Sequence, residues 1–235
     1  MTREKVKTLL IDLDPQGAST HSLGLEVDTT EPDLWLAALG GTGAINKLIK
    51  TSSEGIDVAI ATEGLFQAEL FLSPRVGREF ALKRALASVD TRYDAVLIDT
   101  PPYLGLLTLN ALSAAGWAFI PVSCEFLAVY GLKYLLDAIE TVKATINPSL
   151  KILGYALTIY DRRENMSFEV ESAIKKSLGN DVFNTVIRVS TKIKRAPSAG
   201  VSIFSFNPKG RGSEDFSALT KEVISRIFSG VSDER

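Results

Sequence analysis

"LLIDLDPQGAST", residues 9–20, decides how this sequence is read. An apolar run enters two acids, Asp12 and Asp14, and then a tight polar turn. A buried strand with acids at its carboxyl end is what an open α/β sheet needs, because such sheets bind ligands at that edge. A second stretch of the same kind, "YDAVLIDTPP" at 93–102, closes on Asp99. Pro101 and Pro102 stiffen its exit, since proline fixes φ and restricts the residue before it. A carboxylate at a buried strand end is costly unless it is paired, hydrogen-bonded or near a metal. One such acid is equally well read as the cap of a neighbouring helix. Two at the same edge point towards a Mg²⁺ and phosphate site. The turn "DPQG" by itself is also an ordinary reverse turn.

Outward from these stretches, strands and helices alternate. Apolar runs at 6–11, 56–61, 93–99, 117–122 and 151–160 are rich in Val, Ile and Leu. They are continuous rather than alternating, which suits parallel strands covered on both faces. In "GLKYLLDAIETVKATIN", Leu132, Leu135, Leu136, Ile139 and Val142 make one helix face that Asn147-Pro148 ends. Residues 166–179 predict a helix capped by Ser167 and stopped by Gly179. Residues 213–228 predict another, opened by Ser213 and two acids. Residues 40–55 read as a loop with a short helix. The expected fold is one doubly wound, mostly parallel α/β domain over 1–235.

The totals fit that class. A chain of 235 residues with 46% hydrophobic and 23% charged residues has the composition of a soluble globular domain. No apolar run nears the roughly 18 residues that span a membrane. The single cysteine, Cys124, forms no internal disulfide and reads as a small buried residue. The lone His21 cannot build a metal site and reads as solvated. Net charge is −2, but between Val182 and Ser213 there is no acid and there are six bases. These are Arg188, Lys192, Lys194, Arg195, Lys209 and Arg211, on a remainder with 20 bases against 28 acids. Such a segment is either a solvated face or a surface that neutralises nucleic-acid phosphates.

Five stretches occur in order: "LLIDLDPQGAST", "YDAVLIDTPP", "PVSCEFLAVYGL", "LTIYDRRENMSFEV" and "RAPSAGVSIFSFNPKGRGSEDF". Together they resemble the ParA (Soj-like) family of deviant Walker ATPases, over essentially the whole chain. The resemblance implies a P-loop NTPase fold and a cytoplasmic, nucleoid-associated protein that partitions chromosomes or plasmids. It implies ATP and Mg²⁺ as cofactors, a homodimer closed around nucleotide, non-specific DNA binding, and a ParB-type partner that stimulates hydrolysis. Carried over by position, Asp99 is the acid that holds Mg²⁺ through water, and Asp12 lies close to the metal. Asp14 positions or activates the attacking water. Gly17, Pro101, Asp161 and Arg188 belong to the nucleotide site, the last two near the base. The family has Ile-Pro-Arg where this chain has Val186-Ile187-Arg188, so the base contact there departs from the pattern. The six bases match the DNA-binding surface, with Arg188 and Arg211 the closest positional matches.

The family's phosphate loop, Lys-Gly-Gly-x-Gly-Lys-Thr, does not occur in these residues. Its place is upstream of Leu9, where eight residues are too few for a strand, a loop and a crossover helix. Three readings are therefore open. The first is an ATPase whose first strand, phosphate loop and first helix are missing from this sequence. The second is a non-hydrolysing homologue that binds DNA or a partner. The third is a MinD-like positioning protein with a membrane-binding last helix, although Phe216, Leu219, Val223 and Ile227 suit core packing better and the tail ends in acids. A sheet lacking its central strand is expected to expose free strand edges and to be poorly soluble.

Overall fold

The computed structural model describes residues 1, 4–27, 31–41, 43–89 and 93–229, and at 126–130 the backbone alone. The chain forms two compact units. One comprises Met1–Ala115, Val142–Pro148 and Ala196–Ser202, and the other Gly116–Thr141, Ser149–Arg195 and Ile203–Arg235.

The first unit is built on strands β1 (Thr8–Asp12), β2 (Ile49–Thr51), β3 (Asp57–Ala59) and β4 (Ala95–Asp99), ordered β2-β3-β1-β4. β1 runs parallel to both β3 and β4, and β2 is antiparallel to β3. Helices α1 (Ala18–Ser22), α2 (Leu34–Leu39), α3 (Leu65–Leu72), α4 (Ala81–Leu86) and α5 (Leu106–Ala114) accompany the strands. Its core gathers Leu9, Ile11 and Leu13 with Trp35, Leu39, Leu48, Leu65, Leu72, Leu82 and Leu107. Trp35 is fully buried, and its indole N–H donates to the Ile60 carbonyl at 2.9 Å, so its one polar atom is satisfied. The buried Asn110 plays a similar part for the backbone. It accepts from Leu82 N and donates to the carbonyls of Arg78 and Leu106.

Residues 196–202 dock in this unit. Gly24 and Gly200, both left-handed at φ +70° and +65°, meet backbone to backbone. A Cβ on Gly24 would lie 2.8 Å from the Gly200 carbonyl oxygen, and one on Gly200 would lie 2.9 Å from Gly24 Cα. Only glycine fits such an approach. Nearby, Ser202 N donates to Glu54 Oε1 at 3.1 Å.

The second unit holds the parallel strands β5 (Trp117–Ser123) and β6 (Lys151–Thr158). Its helices are α6 (Phe126–Thr145, of which Val142–Thr145 belong to the first unit), α7 (Asn165–Leu178), α8 (Thr191–Arg195), α9 (Ile203–Phe206) and α10 (Arg211–Ser229). The apolar face of α10 is turned inward. Phe216, Leu219, Val223 and Ile227 pack with Leu153, Ala156, Phe183 and Ile187, so this helix is a core element. The acidic tail at 230–235 lies outside the described residues. Arg226 fastens α10 further. Its guanidinium sits 3.9 Å from the Phe183 ring and donates to the carbonyls of Leu153, Asn180, Asp181 and Val182 at 2.8–3.1 Å.

All five predicted strands form, and β2 is the one the sequence reading missed. Its Ile49-Lys50-Thr51 is too short to show a period, and pairing with β3 creates it. The short helix expected before it is a 3₁₀ turn at Ala44–Leu48. The expected cap at Ser167 is overturned: α7 starts two residues earlier, and the buried Ser167 hydroxyl accepts from Asp161 N instead. Ser213 likewise lies inside α10, its hydroxyl between the carbonyls of Ile203 and Asn207. Asn147 does follow the end of α6, where its amide donates to the carbonyls of Leu112 and Ala115.

The strands are not covered throughout. β4 ends its sheet, and Val96 and Leu97 at its centre are 41% and 43% exposed. β5 also ends its sheet and alternates, with Ala118, Ile120 and Val122 buried while Phe119 is exposed. A terminal strand tolerates Pro121, which lacks a ladder N–H.

Replacing Arg226 by Ala removes donors from four carbonyls and a stacked cation from Phe183. The expected loss is about 3 kcal/mol of stability, read as a lowered denaturant midpoint at unchanged slope.

Candidate functional site

The acids of the two decisive stretches meet at one sheet edge. β1 and β4 are in register at their last residues, Asp12 opposite Asp99, and Leu13 N donates to the Asp99 carbonyl at 2.9 Å. Neighbouring parallel strands lie about 4.8 Å apart, so the two carboxylates are immediate neighbours.

Each is met by a hydroxyl from the first turn of α1. Asp12 is fully buried, and its Oδ2 accepts from Thr20 N at 2.7 Å and Thr20 Oγ at 2.6 Å, while Oδ1 accepts from Asp14 N at 3.3 Å. Burial pushes the Asp12 carboxyl above the usual range and Asp99 adds to that, while the Thr20 and Asp14 bonds pull it down. Asp99 is half-buried, and its Oδ2 accepts from Ser19 Oγ at 2.6 Å. Thr20 is also fixed from the other side, because its hydroxyl oxygen accepts from Ala61 N at 3.0 Å.

The intervening turn is held by its own groups. Asp14 Oδ1 accepts from Gln16 N at 2.9 Å, and the Asp14 carbonyl accepts from Gly17 N at 2.9 Å. Gly17 then starts α1 at φ +63°, where a Cβ would lie 2.7 Å from Val27 Cγ2. The remaining Asp14 oxygen lies on the half-buried side chain at the edge. Pro101, two residues after Asp99, is buried, and Tyr103 and Leu104 stand exposed before α5.

The structure thus gathers Asp12, Asp14, Gly17, Asp99 and Pro101 in the first unit. Asp161 and Arg188 belong to the second. Both Asp161 oxygens hold Arg163, at 2.9 Å to Nε and 2.6 Å to an Nη, which takes its carboxyl down to about 2. Arg188 is a bidentate partner of the buried Asp215, whose Oδ1 lies 2.5 Å from an Nη, with Glu214 at 3.6 Å. Its guanidinium is therefore committed within the chain. The other five bases of the segment, Lys192, Lys194, Arg195, Lys209 and Arg211, are exposed and carry no ion pair among the described residues. Gly212 packs close to Ile193 and Ile203, which brings the start of α10 against α8 and α9.

Sequence reasoning missed Ser19 and Thr20. The signal was two adjacent hydroxyls in the first turn after an acid pair. His21 is exposed, as read. Cys124 is buried, and burial first, then Glu171, pushes its thiol up to about 11.

Among the described residues no three His, Cys, Asp or Glu side chains form a metal cluster. The half-buried Asp99, beside Asp12 at the strand ends, nonetheless fits Mg²⁺, which takes one or two carboxylates and completes its shell with water and phosphate oxygens.

Comparison with known proteins places the fold among P-loop NTPases. Cobyrinic acid a,c-diamide synthase from Mycobacterium smegmatis, solved with bound ADP and magnesium, superposes at a TM-score of 0.83 with 34% identity, covering 97% of this chain and 86% of that one. The septum site-determining protein MinD of Pyrococcus horikoshii shares the fold at a TM-score of 0.70, 21% identity and coverage of 92% and 83%. The family model described as an AAA domain matches residues 1–152. The sporulation initiation inhibitor protein Soj of Bacillus subtilis is 40% identical over 92% of this chain and 86% of its own length. The chromosome partitioning protein ParA of Caulobacter vibrioides is 36% identical over 94% and 83%. The chain belongs to the ParA/Soj family.

Two outcomes follow. Thr20→Val removes the donor to a buried carboxylate and the acceptor of Ala61 N, and is expected to cost about 2 kcal/mol in thermal or denaturant unfolding. The Cys124 thiol, buried and raised to about 11, is expected to resist Ellman's reagent in the folded protein at pH 8 and to react at once in denaturant.

Proposed function

We propose that this protein is a Soj/ParA-type partitioning ATPase. It binds ATP with Mg²⁺, pairs with a second copy around the nucleotide, and in that form binds DNA without regard to sequence. A ParB-type partner stimulates turnover and releases the DNA. The observation that carries the reading is the register-matched pair Asp12 and Asp99, followed by Asp14, at the carboxyl ends of two adjacent parallel strands. The Soj and ParA relatives support the biological context, and the ADP–magnesium neighbour supports the cofactors.

Within this reading Asp99 holds Mg²⁺ through water. When bound, the ion supplies neutralisation of charge on the transferred phosphoryl group. Asp14 orients the attacking water from the turn that Gln16 N and Gly17 N hold. Asp12, which is buried and faces Thr20, keeps that turn and α1 in place from below. Gly17 and Pro101 shape the floor beside these acids. DNA contact falls to Lys192, Lys194, Arg195, Lys209 and Arg211.

The test is ATP turnover with and without DNA, beside a salt series of DNA binding. Wild type is expected to hydrolyse ATP faster with DNA, and Asp14→Ala to lose about a hundredfold in kcat while still binding nucleotide. Arg211→Ala is expected to lower DNA affinity on every sequence and to reduce the salt slope by about 1. DNA binding that is indifferent to ATP, without turnover, would replace this reading by that of a non-hydrolysing DNA-binding regulator.

A further inference from the structure

We infer that Ser19 is a positioning residue for Asp99, turning one oxygen of that carboxylate towards the cation of the bound nucleotide. This rests on the Mg²⁺–nucleotide reading above. The observation is a 2.6 Å hydrogen bond from Ser19 Oγ to Asp99 Oδ2, between residues 80 positions apart in the chain.

Asp99 sits at the last position of β4, where β1 fixes its backbone and a side-chain contact has to set the orientation of its carboxylate. A carboxylate that must present one oxygen outward needs a donor on the other. α1 supplies it. The neighbouring hydroxyl, Thr20, is committed to Asp12 and to Ala61 N, so its place is set within the unit. Ser19 is one residue away on the same helical turn and inherits that fixed position. The first turn of α1 thus gives one hydroxyl to each of two adjacent acids. With Oδ2 held, Oδ1 is the Asp99 oxygen left for a ligand. Such outer partners of metal-binding carboxylates fix their orientation, and losing one typically costs about tenfold in metal affinity.

The probe is the fluorescent analogue mant-ATP, titrated with and without Mg²⁺ against wild type, Ser19→Ala and Ser19→Thr, alongside thermal melts. Wild type is expected to bind the analogue more tightly when Mg²⁺ is added. In Ser19→Ala that tightening should shrink about tenfold, with Mg²⁺-free affinity and melting midpoint unchanged, and Ser19→Thr should restore it. Full Mg²⁺-dependent tightening in Ser19→Ala would overturn the positioning role and leave the nucleotide reading standing. A loss of Mg²⁺-free binding and of stability that Ser19→Thr does not repair would make the hydroxyl a purely structural brace and overturn it as well. Absence of any Mg²⁺-dependent tightening in wild type would remove the underlying reading and this inference with it.

Discussion

Two carboxylates at the ends of adjacent parallel strands repel. At about 5 Å and an effective dielectric of 20 the repulsion is about 3 kcal/mol, and the desolvation of Asp12 adds to it. The first unit is arranged around that conflict. α1 has to begin directly after the acid turn, because its first turn is where the donors to Asp12 and Asp99 come from. For α1 to begin there, the chain must reverse within Asp14–Gly17, and the approach of Val27 leaves room only for glycine at 17. The same Thr20 that answers Asp12 also receives Ala61 N, so the chain leaving β3 and the end of β4, the strands on either side of β1, are referenced to one helix turn.

The second unit disposes of its charges differently. Its notable ions are answered within the chain: Asp161 by Arg163, Arg188 by Asp215, and Arg226 by four carbonyls. Bidentate, part-buried pairing of this kind fixes geometry because the guanidinium fork admits few alternatives. Among the described residues, Lys192, Lys194 and Arg195 of α8, Lys209 in the turn before α10 and Arg211 at its start are exposed and carry no ion pair. The division between engaged and available cations is sharper than the count of six bases conveys. Arg188, which looks equivalent to Arg211 in sequence, is spent on holding Asp215.

Much of this was legible beforehand. Asp12, Asp14 and Asp99 could be read because apolar runs ending in acids are rare and positional. The α6 face at Leu132, Leu135, Leu136, Ile139 and Val142 could be read because a long period averages out noise, and these positions are buried or half-buried. What stayed hidden depends on partners far off in sequence. Ser167 and Ser213 looked like helix caps because serine favours that role locally, yet both hydroxyls are taken by backbone groups brought near by folding. The Thr20 hydroxyl that meets Asp12 comes eight residues later, and its only signal is its place beside Ser19 in the first turn after the acid pair. β2 needed β3 to exist at all.

The interlocked glycines at 24 and 200 carry a consequence for how this sequence can change. Each blocks a side chain on the other, and both are left-handed, so no conservative exchange exists at either site. Variation elsewhere in the chain can be gradual. Here it is discontinuous, and the spacing between the end of α1 and the 196–202 segment is inherited as one fixed dimension.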